Sequence, residues 1–407
     1  MTPVYLKPTR GGKKPSPGRA WGHKDICRKR PEKVTAHQAH TLDRCPDCHR
    51  PLQNPVRTYT RYIEDIPRID PVVTEHTVHG YWCSCCRKIV QPTLTDALPN
   101  ARLGLQLVVF TAWLHSLVGI SANTIVKRVS VFFNLQRSAG GLTQAWKTLA
   151  TLLEPLYDDI GRKVSTSAVL HADETGWRLN GKTHWLWCFT TQKLCYYLIT
   201  RNRGSPVIKR FFGILFNGIL ICDFWDAYNK ISALAKQRCF YHLFTELVKV
   251  DTYNRSAPWK AFRKKLSRLL KDALRVSEKK NHVSPECFLR LKKRLYHRRE
   301  QFLATPCQDK DAQRLIKRLN CHTNELFTFL EYEGVSHAEQ QMRKPVLTRK
   351  VSQQNRSEHG AKTQAILMTL LRSAELQSVN PVETLLDNAK NALTAKIPSM
   401  LAYKIAG

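Results

Sequence analysis

The chain has 407 residues, with 65 Lys plus Arg against 32 Asp plus Glu, a formal net charge of +33. That length holds two or three domains, and a 43% hydrophobic content is enough for ordinary buried cores. A positive field spread along the whole sequence attracts polyanions, nucleic acid above all, although the charge balance alone also fits ribosomal, RNA-binding or membrane-surface proteins.

Residues 1–44 read as a flexible basic arm, with Gly11, Gly12, Gly18 and Gly22 and little apolar periodicity. No secretory signal is expected, because Met1 to Arg19 lacks an apolar core. Leu105 to Ile120, the longest apolar stretch, is interrupted by Gln106 and His115 and falls short of the roughly 20 residues a bilayer needs. The expectation is therefore a cytoplasmic, nucleoid-associated protein with no membrane partner, in which thirteen cysteines serve as metal ligands and buried thiols rather than disulfides.

Residues 45–95 form a small module with two cysteine pairs around short β-like runs such as Val72 to Val78. The pairs are Cys45-Pro-Asp-Cys48 and Cys83-Ser-Cys-Cys86. Two residues between thiols let both thiolates reach one ion, and two such pairs complete a tetrahedron, so Zn²⁺ is expected on Cys45, Cys48, Cys83 and Cys86. The gap between the pairs is long for a compact ribbon, although a hairpin would close it. Cys85 is an alternative fourth ligand, and reduced core cysteines are the alternative to a metal site.

Residues 96–163 read as a helical linker domain. Leu105, Val108, Val109, Trp113 and Leu117 stand at helical spacing, and a Gly140-Gly141 break precedes a second helix from Thr143 through Leu156. From Ser167 the pattern becomes α/β. Strands are expected at 168–172, 183–190 and 194–200, then a helix at 205–212 with Pro206 in its first turn, then a strand at 218–222. Residues 255–304 are helical and basic. Phe262, Leu266, Leu269, Leu270 and Leu274 make an apolar stripe, with Arg263, Lys264, Lys265, Arg268 and Lys271 around it, and a second basic helix spans 288–302. These helices are either solvated amphipathic elements or a wall facing DNA.

Asp173 and Asp223 each stand at the end of an expected strand, in His171-Ala-Asp-Glu-Thr-Gly-Trp177 and Cys222-Asp-Phe-Trp-Asp-Ala-Tyr228. Carboxylates at the ends of adjacent strands can share divalent ions, and hard oxygen ligands suit Mg²⁺. Singly, each is equally an Asp that forms a turn after a strand. Glu339, in Ser336-His-Ala-Glu339, is the best candidate for a third carboxylate, and it also fits a helix capping box.

At these residues the sequence resembles the transposases of the insertion sequence 66 family. The resemblance runs from about Gly22 to the C-terminus. It rests on Cys45-Pro-Asp-Cys48, Tyr62-Ile-Glu-Asp-Ile66, Asp96-Ala-Leu-Pro99, Phe110-Thr-Ala-Trp-Leu-His115, Ala172-Asp-Glu-Thr175, Asp223-Phe-Trp-Asp-Ala-Tyr-Asn229, Cys239-Phe-Tyr-His242 and Asn355-Arg-Ser-Glu358.

The resemblance implies a ribonuclease H-like catalytic domain over 164–372, with a basic helical insertion at about 245–330 and a helical tail at 373–407. It assigns Asp173, Asp223 and Glu339 as the triad holding Mg²⁺ or Mn²⁺. It further implies cleavage at element ends, attack of the freed 3′-hydroxyl on target double-stranded DNA, a homo-oligomer on DNA, and accessory proteins encoded by the element. The sequence departs from the family pattern before Glu339, where Glu333-Gly-Val-Ser-His-Ala-Glu339-Gln340 is about three residues short and lacks the usual Arg, and at Gln354, where Gly is usual. A DNA-binding relic or repressor without catalysis is the alternative reading. Cys239 and His242 are expected to pack a strand-to-helix junction rather than to bind metal.

Overall fold

The computed structural model describes residues 30–66, 69–337, 346, 349 and 355–395. The chain forms two compact units, residues 1–69 and 70–407. The expected arm lies outside the described residues as far as residue 29, and residues 30–42 adopt no helix or strand. The first unit is organised around the turn at Cys45–Cys48, closed by a bridge between Arg44 and Pro51 and by the Cys45 amide donating to the Arg50 carbonyl at 3.0 Å.

The second unit opens with a small antiparallel hairpin, β1 (Tyr81–Cys83) and β2 (Lys88–Val90). No strand forms over Val72 to Val78. Those side chains are exposed, so the β-branched run has no buried face to pack against, which is what β-propensity reports.

Three helices follow: α1 (Leu105–Ser116), α2 (Ala122–Phe133) and α3 (Ala139–Ser165). The expected break at Gly140-Gly141 is instead the first turn of α3. The Ser138 hydroxyl accepts from the Gly141 amide at 3.1 Å, satisfying a donor that has no partner inside the helix. The Trp146 indole donates to the Thr111 hydroxyl at 3.1 Å, joining α3 to α1.

The chain then builds a five-stranded sheet from β3 (Val169–Leu179), β4 (Lys182–Thr190), β5 (Cys195–Thr200), β6 (Leu215–Cys222) and β7 (Ser232–Arg238), with α4 (Ser205–Phe212) between β5 and β6. Their spatial order is β5-β4-β3-β6-β7. β4 runs antiparallel to both β3 and β5, while β3, β6 and β7 are mutually parallel. Asp173 therefore sits within β3 and does not end it. β4 pairs along β3 from His171 to Leu179, and Asn180-Gly181, with φ of 47° and 73°, closes the hairpin. Both residues take the left-handed conformation a two-residue hairpin turn needs. Where β6 approaches β3, a Cβ on Gly218 would stand 2.5 Å from the Ser167 carbonyl and 2.8 Å from that of Ala168, so only glycine fits.

Helices α9 (Glu358–Leu376) and α10 (Pro381–Thr394) complete the sheet region. One core joins α1, α2, α3, α9 and α10 to the sheet, and includes Val108, Leu149, Ala172, Trp187, Leu220, Leu371 and Leu385. The expected boundaries at 163 and 372 thus do not separate two cores: the helices of 96–163 bury their apolar faces on the sheet and on α9, which itself crosses residue 372. A second core belongs to the insertion, built from α5 (Phe240–Asp251), α6 (Ala257–Glu278), α7 (Pro285–Ala304) and α8 (Lys310–Cys321). Its buried residues run from Phe240 to Leu330. No helix among the described residues is long and apolar enough to cross a membrane. Cys188, Cys195, Cys222 and Cys239 are buried and take part in no disulfide.

Helix α9 also covers the sheet edge. The amides of Tyr197 and Cys195 on β5 donate to Thr369 Oγ1 at 2.9 Å and Ser373 Oγ at 3.0 Å, and Ser373 returns a bond to the Cys195 carbonyl at 3.1 Å. These hydroxyls replace the missing neighbour strand. Ser373→Ala leaves both backbone groups of Cys195 buried and unpaired, and should lower the unfolding free energy by about 1–3 kcal/mol in urea titrations. An unchanged midpoint would show that the edge does not need this cap.

Candidate active site

Parallel pairing sets the geometry. β3 and β6 align Val169 with Ile219, Leu170 with Leu220 and His171 with Ile221. Continued by two residues, the same register puts Asp173 opposite Asp223. Both carboxylates are fixed by local amides: Asp173 Oδ1 accepts from the Glu174 N–H at 2.9 Å, and Asp223 Oδ1 from the Trp225 N–H at 2.8 Å. Asp173 is largely buried and Asp223 half-buried.

His242, in the first turn of α5, brings Nε2 to 3.6 Å from Asp173 Oδ1. Its motif partner Cys239 is fully buried at the helix N-cap, where its amide donates to the Cys222 carbonyl at 2.8 Å. So Cys239 packs the junction, whereas His242 faces the acidic site. His171 shares the β3 face of Asp173; burial pulls its pKa down to about 4, so it is a neutral imidazole at neutral pH.

Glu339 lies outside the described residues, as do Gln340 and Gln354. The chain leading to Glu339 is described as far as His337, whose carbonyl accepts from the Phe240 amide at 2.8 Å. That amide is two residues from His242. The far side of the segment is anchored at Asn355, whose backbone pairs beside Leu179 and whose side chain accepts from the Trp177 indole at 2.7 Å.

The opposite face of β3 carries a network that periodicity does not reveal. Glu174 accepts from Arg203 Nε at 3.2 Å and Nη2 at 3.1 Å, and from the Tyr228 hydroxyl at 2.7 Å. The Arg203 guanidinium is held between the rings of Trp185, at 4.3 Å, and Trp225, at 4.0 Å. Burial raises the Glu174 pKa, and the Asp223 carboxylate raises it further against the pull of Tyr228 and Arg203. Burial, then the charges of Glu174, Asp223 and Asp173, push the Tyr228 hydroxyl well above its ordinary value, so it stays a donor. Trp225 thus belongs both to the stack and to the amide cradle of Asp223.

Arg238, at the end of β7, is fully buried and binds three elements together. It donates to the Asp223 carbonyl at 2.7 Å, to Asn229 Oδ1 at 2.5 Å and to Glu325 Oε2 at 2.5 Å. Glu174, Trp225, Tyr228 and Asn229 stand inside the motifs singled out in the sequence, although without roles. Arg203 and Arg238 had no local signal, since each is defined by partners distant in sequence.

The two cysteine pairs belong to different units. In the first, the amides of Cys48 and Asp47 point at the Cys45 sulfur and lower its pKa. In the second, the Cys86 amide lies 3.4 Å from Cys83 Sγ and lowers the pKa of that thiol in the same way. The residue after each pair has positive φ, 57° at His49 and 50° at Arg87. The two turns therefore share one form, in which Cys86, and not Cys85, corresponds to Cys48. A lowered pKa favours the thiolate, the form of cysteine that ligates metals. Within each unit, among the described residues, no three His, Cys, Asp or Glu side chains gather as a metal site.

Residues 119–363 match the family model described as Transposase IS66 family, and residues 43–87 match the zinc-finger binding domain of transposase IS66. No curated protein matches the chain.

The Glu174 network yields a stability test. Glu174→Ala orphans the buried Tyr228 hydroxyl along with Arg203 and should cost about 2–3 kcal/mol in urea unfolding. Arg203→Ala strips the partner from a carboxylate whose side chain is only 1% exposed and should also destabilise, by about 3 kcal/mol. No loss in either variant would contradict a structural role for the network.

Proposed function

Since the chain belongs to the transposase IS66 family, whose model covers more than half of its length, we propose that it cuts DNA at the ends of an insertion element and joins the freed 3′-hydroxyl to target DNA. The observation that carries this reading is the β3–β6 register, which, continued two residues beyond His171 and Ile221, would set Asp173 against Asp223. The sheet order, with only β4 reversed, supports a ribonuclease H-like catalytic domain interrupted by the helical insertion after β7.

Asp173, Asp223 and Glu339 would hold Mg²⁺ or Mn²⁺, for which carboxylate oxygens are fitting donors. Such ions, when bound, supply stabilisation of the attacking and leaving oxygens in an in-line displacement at phosphorus. The chain's own contribution is positioning. The Glu174 and Trp225 amides orient the two aspartates, Arg238 fixes the backbone under Asp223, and the Trp185–Arg203–Trp225 stack restrains the loop after it. A shift of about an ångström at such a centre costs roughly a hundredfold in rate, which is why buried supports matter here.

Cys45, Cys48, Cys83 and Cys86 would hold a structural Zn²⁺ that stabilises the amino-terminal module. Holding two element ends calls for a homo-oligomer on DNA, with any accessory proteins of the element acting beside it. The shortened stretch from Glu333 to Gln340 favours a second reading, a DNA-binding relic or repressor that no longer cuts.

Mg²⁺-dependent cleavage and joining of labelled duplexes bearing the DNA that flanks the gene separates the two. Asp173→Asn, Asp223→Asn and Glu339→Gln should each reduce cleavage by about a hundredfold or more with DNA binding retained. Binding without turnover by the natural chain would favour the relic. Full activity in Glu339→Gln would remove that residue from the triad.

A further inference from the structure

Helix α6 has two unlike faces. Trp259, Phe262, Leu266, Leu269, Leu270 and Ala273 are buried in the insertion core. On the other side Lys260, Lys264, Arg268, Lys271 and Arg275 are exposed and recur every three or four residues. That spacing stacks them in one line, roughly 22 Å long at the rise of an α-helix.

Arg275 is paired with Asp272 at 2.9 Å, whereas the other four have no acidic partner among the described residues. On the neighbouring helices some of the cations are paired. On α7, Lys292 meets Glu331 and Arg298 meets Asp272; on α8, Arg314 and Arg318 share Glu246. Arg290, Lys293 and Arg294 on α7 are also exposed with no acidic partner among the described residues, so what sets α6 apart is the length of its row, five exposed cations over about four turns. Like charges one turn apart repel and weaken a helix, so the row is a liability in the free protein that a polyanion relieves.

We propose that this face of α6 is a contact for the phosphate backbone of duplex DNA, independent of base sequence, an inference that rests on the transposase reading. About 22 Å of duplex presents roughly six phosphates per strand, enough to engage every cation of the row. Contacts of this kind set register and grip and carry no sequence information.

The test uses the full chain and a fluorescent duplex of arbitrary sequence, titrated across a salt series. One variant combines K260Q, K264Q, R268Q and K271Q. A second removes the same net charge elsewhere, at exposed positions, through K127Q, R128Q, K147Q and K390Q. The slope of log affinity against log salt should flatten by about three to four units in the α6 variant, near 0.9 per lost phosphate contact, and by less than one unit in the second. The thermal midpoint of the α6 variant should not fall, and K264Q alone, as a milder change, should flatten the slope by about one unit.

Equal flattening in both four-site variants would overturn the proposal, because net charge would then explain the effect. So would an unchanged slope in the α6 variant, or a loss confined to duplex RNA. If the natural chain fails to bind DNA at all, the transposase reading falls together with this inference. If it binds and only the α6 variant behaves normally, this inference alone fails.

Discussion

The parallel pairing of β3 with β6 is the constraint on which the rest depends. A one-residue slip would turn Asp173 to the opposite face of the sheet and leave Asp223 without its neighbour. The register is secured from several directions. Leu170, Ala172, Leu220 and Cys222 are buried in the shared core, Gly218 permits the close approach of the Ser167 and Ala168 carbonyls, and β4 grips β3 along its length. Sheet pairing thus puts Asp173 on β3 and Asp223 just past the end of the neighbouring β6, although they are fifty residues apart in sequence.

Around that pair, support comes from groups that are costly to bury. Arg238 is buried among the Asp223 carbonyl, Asn229 and Glu325, and so ties the sheet and the Asp223 loop to the insertion. A guanidinium in such a place is tolerable only with its donors matched, and removing one partner of a buried pair is far costlier than the pair is worth. Glu174 and Arg203 do the same on the other face with two tryptophan rings as walls. The insertion is therefore joined to the acidic site through Arg238, while keeping a hydrophobic core of its own.

Much of this was legible in the sequence, and the failures have physical causes. The strand leading to Asp173 was visible as a buried run, but Asp-Glu-Thr-Gly looks like a turn. It continues as strand because β4 supplies the ladder and Asn180-Gly181 supplies the hairpin. β7, Ser232-Ala-Leu-Ala-Lys-Gln-Arg238, escaped notice because its buried end is Gln237 and Arg238, polar side chains satisfied by distant partners instead of an apolar face. The periodicity of α1 and α3 showed that each has a buried face without showing that the face lies against the sheet and α9. Asp173 and Asp223 were found as motif residues; Arg203 could not be, since its definition is a stack of Trp185 and Trp225.

The measurement that bears most directly on the central claim is the location of the metal. With iron(II) in place of Mg²⁺, ascorbate and peroxide generate radicals that cut the polypeptide beside the bound ion, and the fragments report where it sits. Cuts are expected in β3 near Asp173 and in the loop after Asp223, both lost in Asp173→Asn. Cutting elsewhere, or cutting at those places that persists in Asp173→Asn, would contradict the assignment of the aspartate pair as the metal centre.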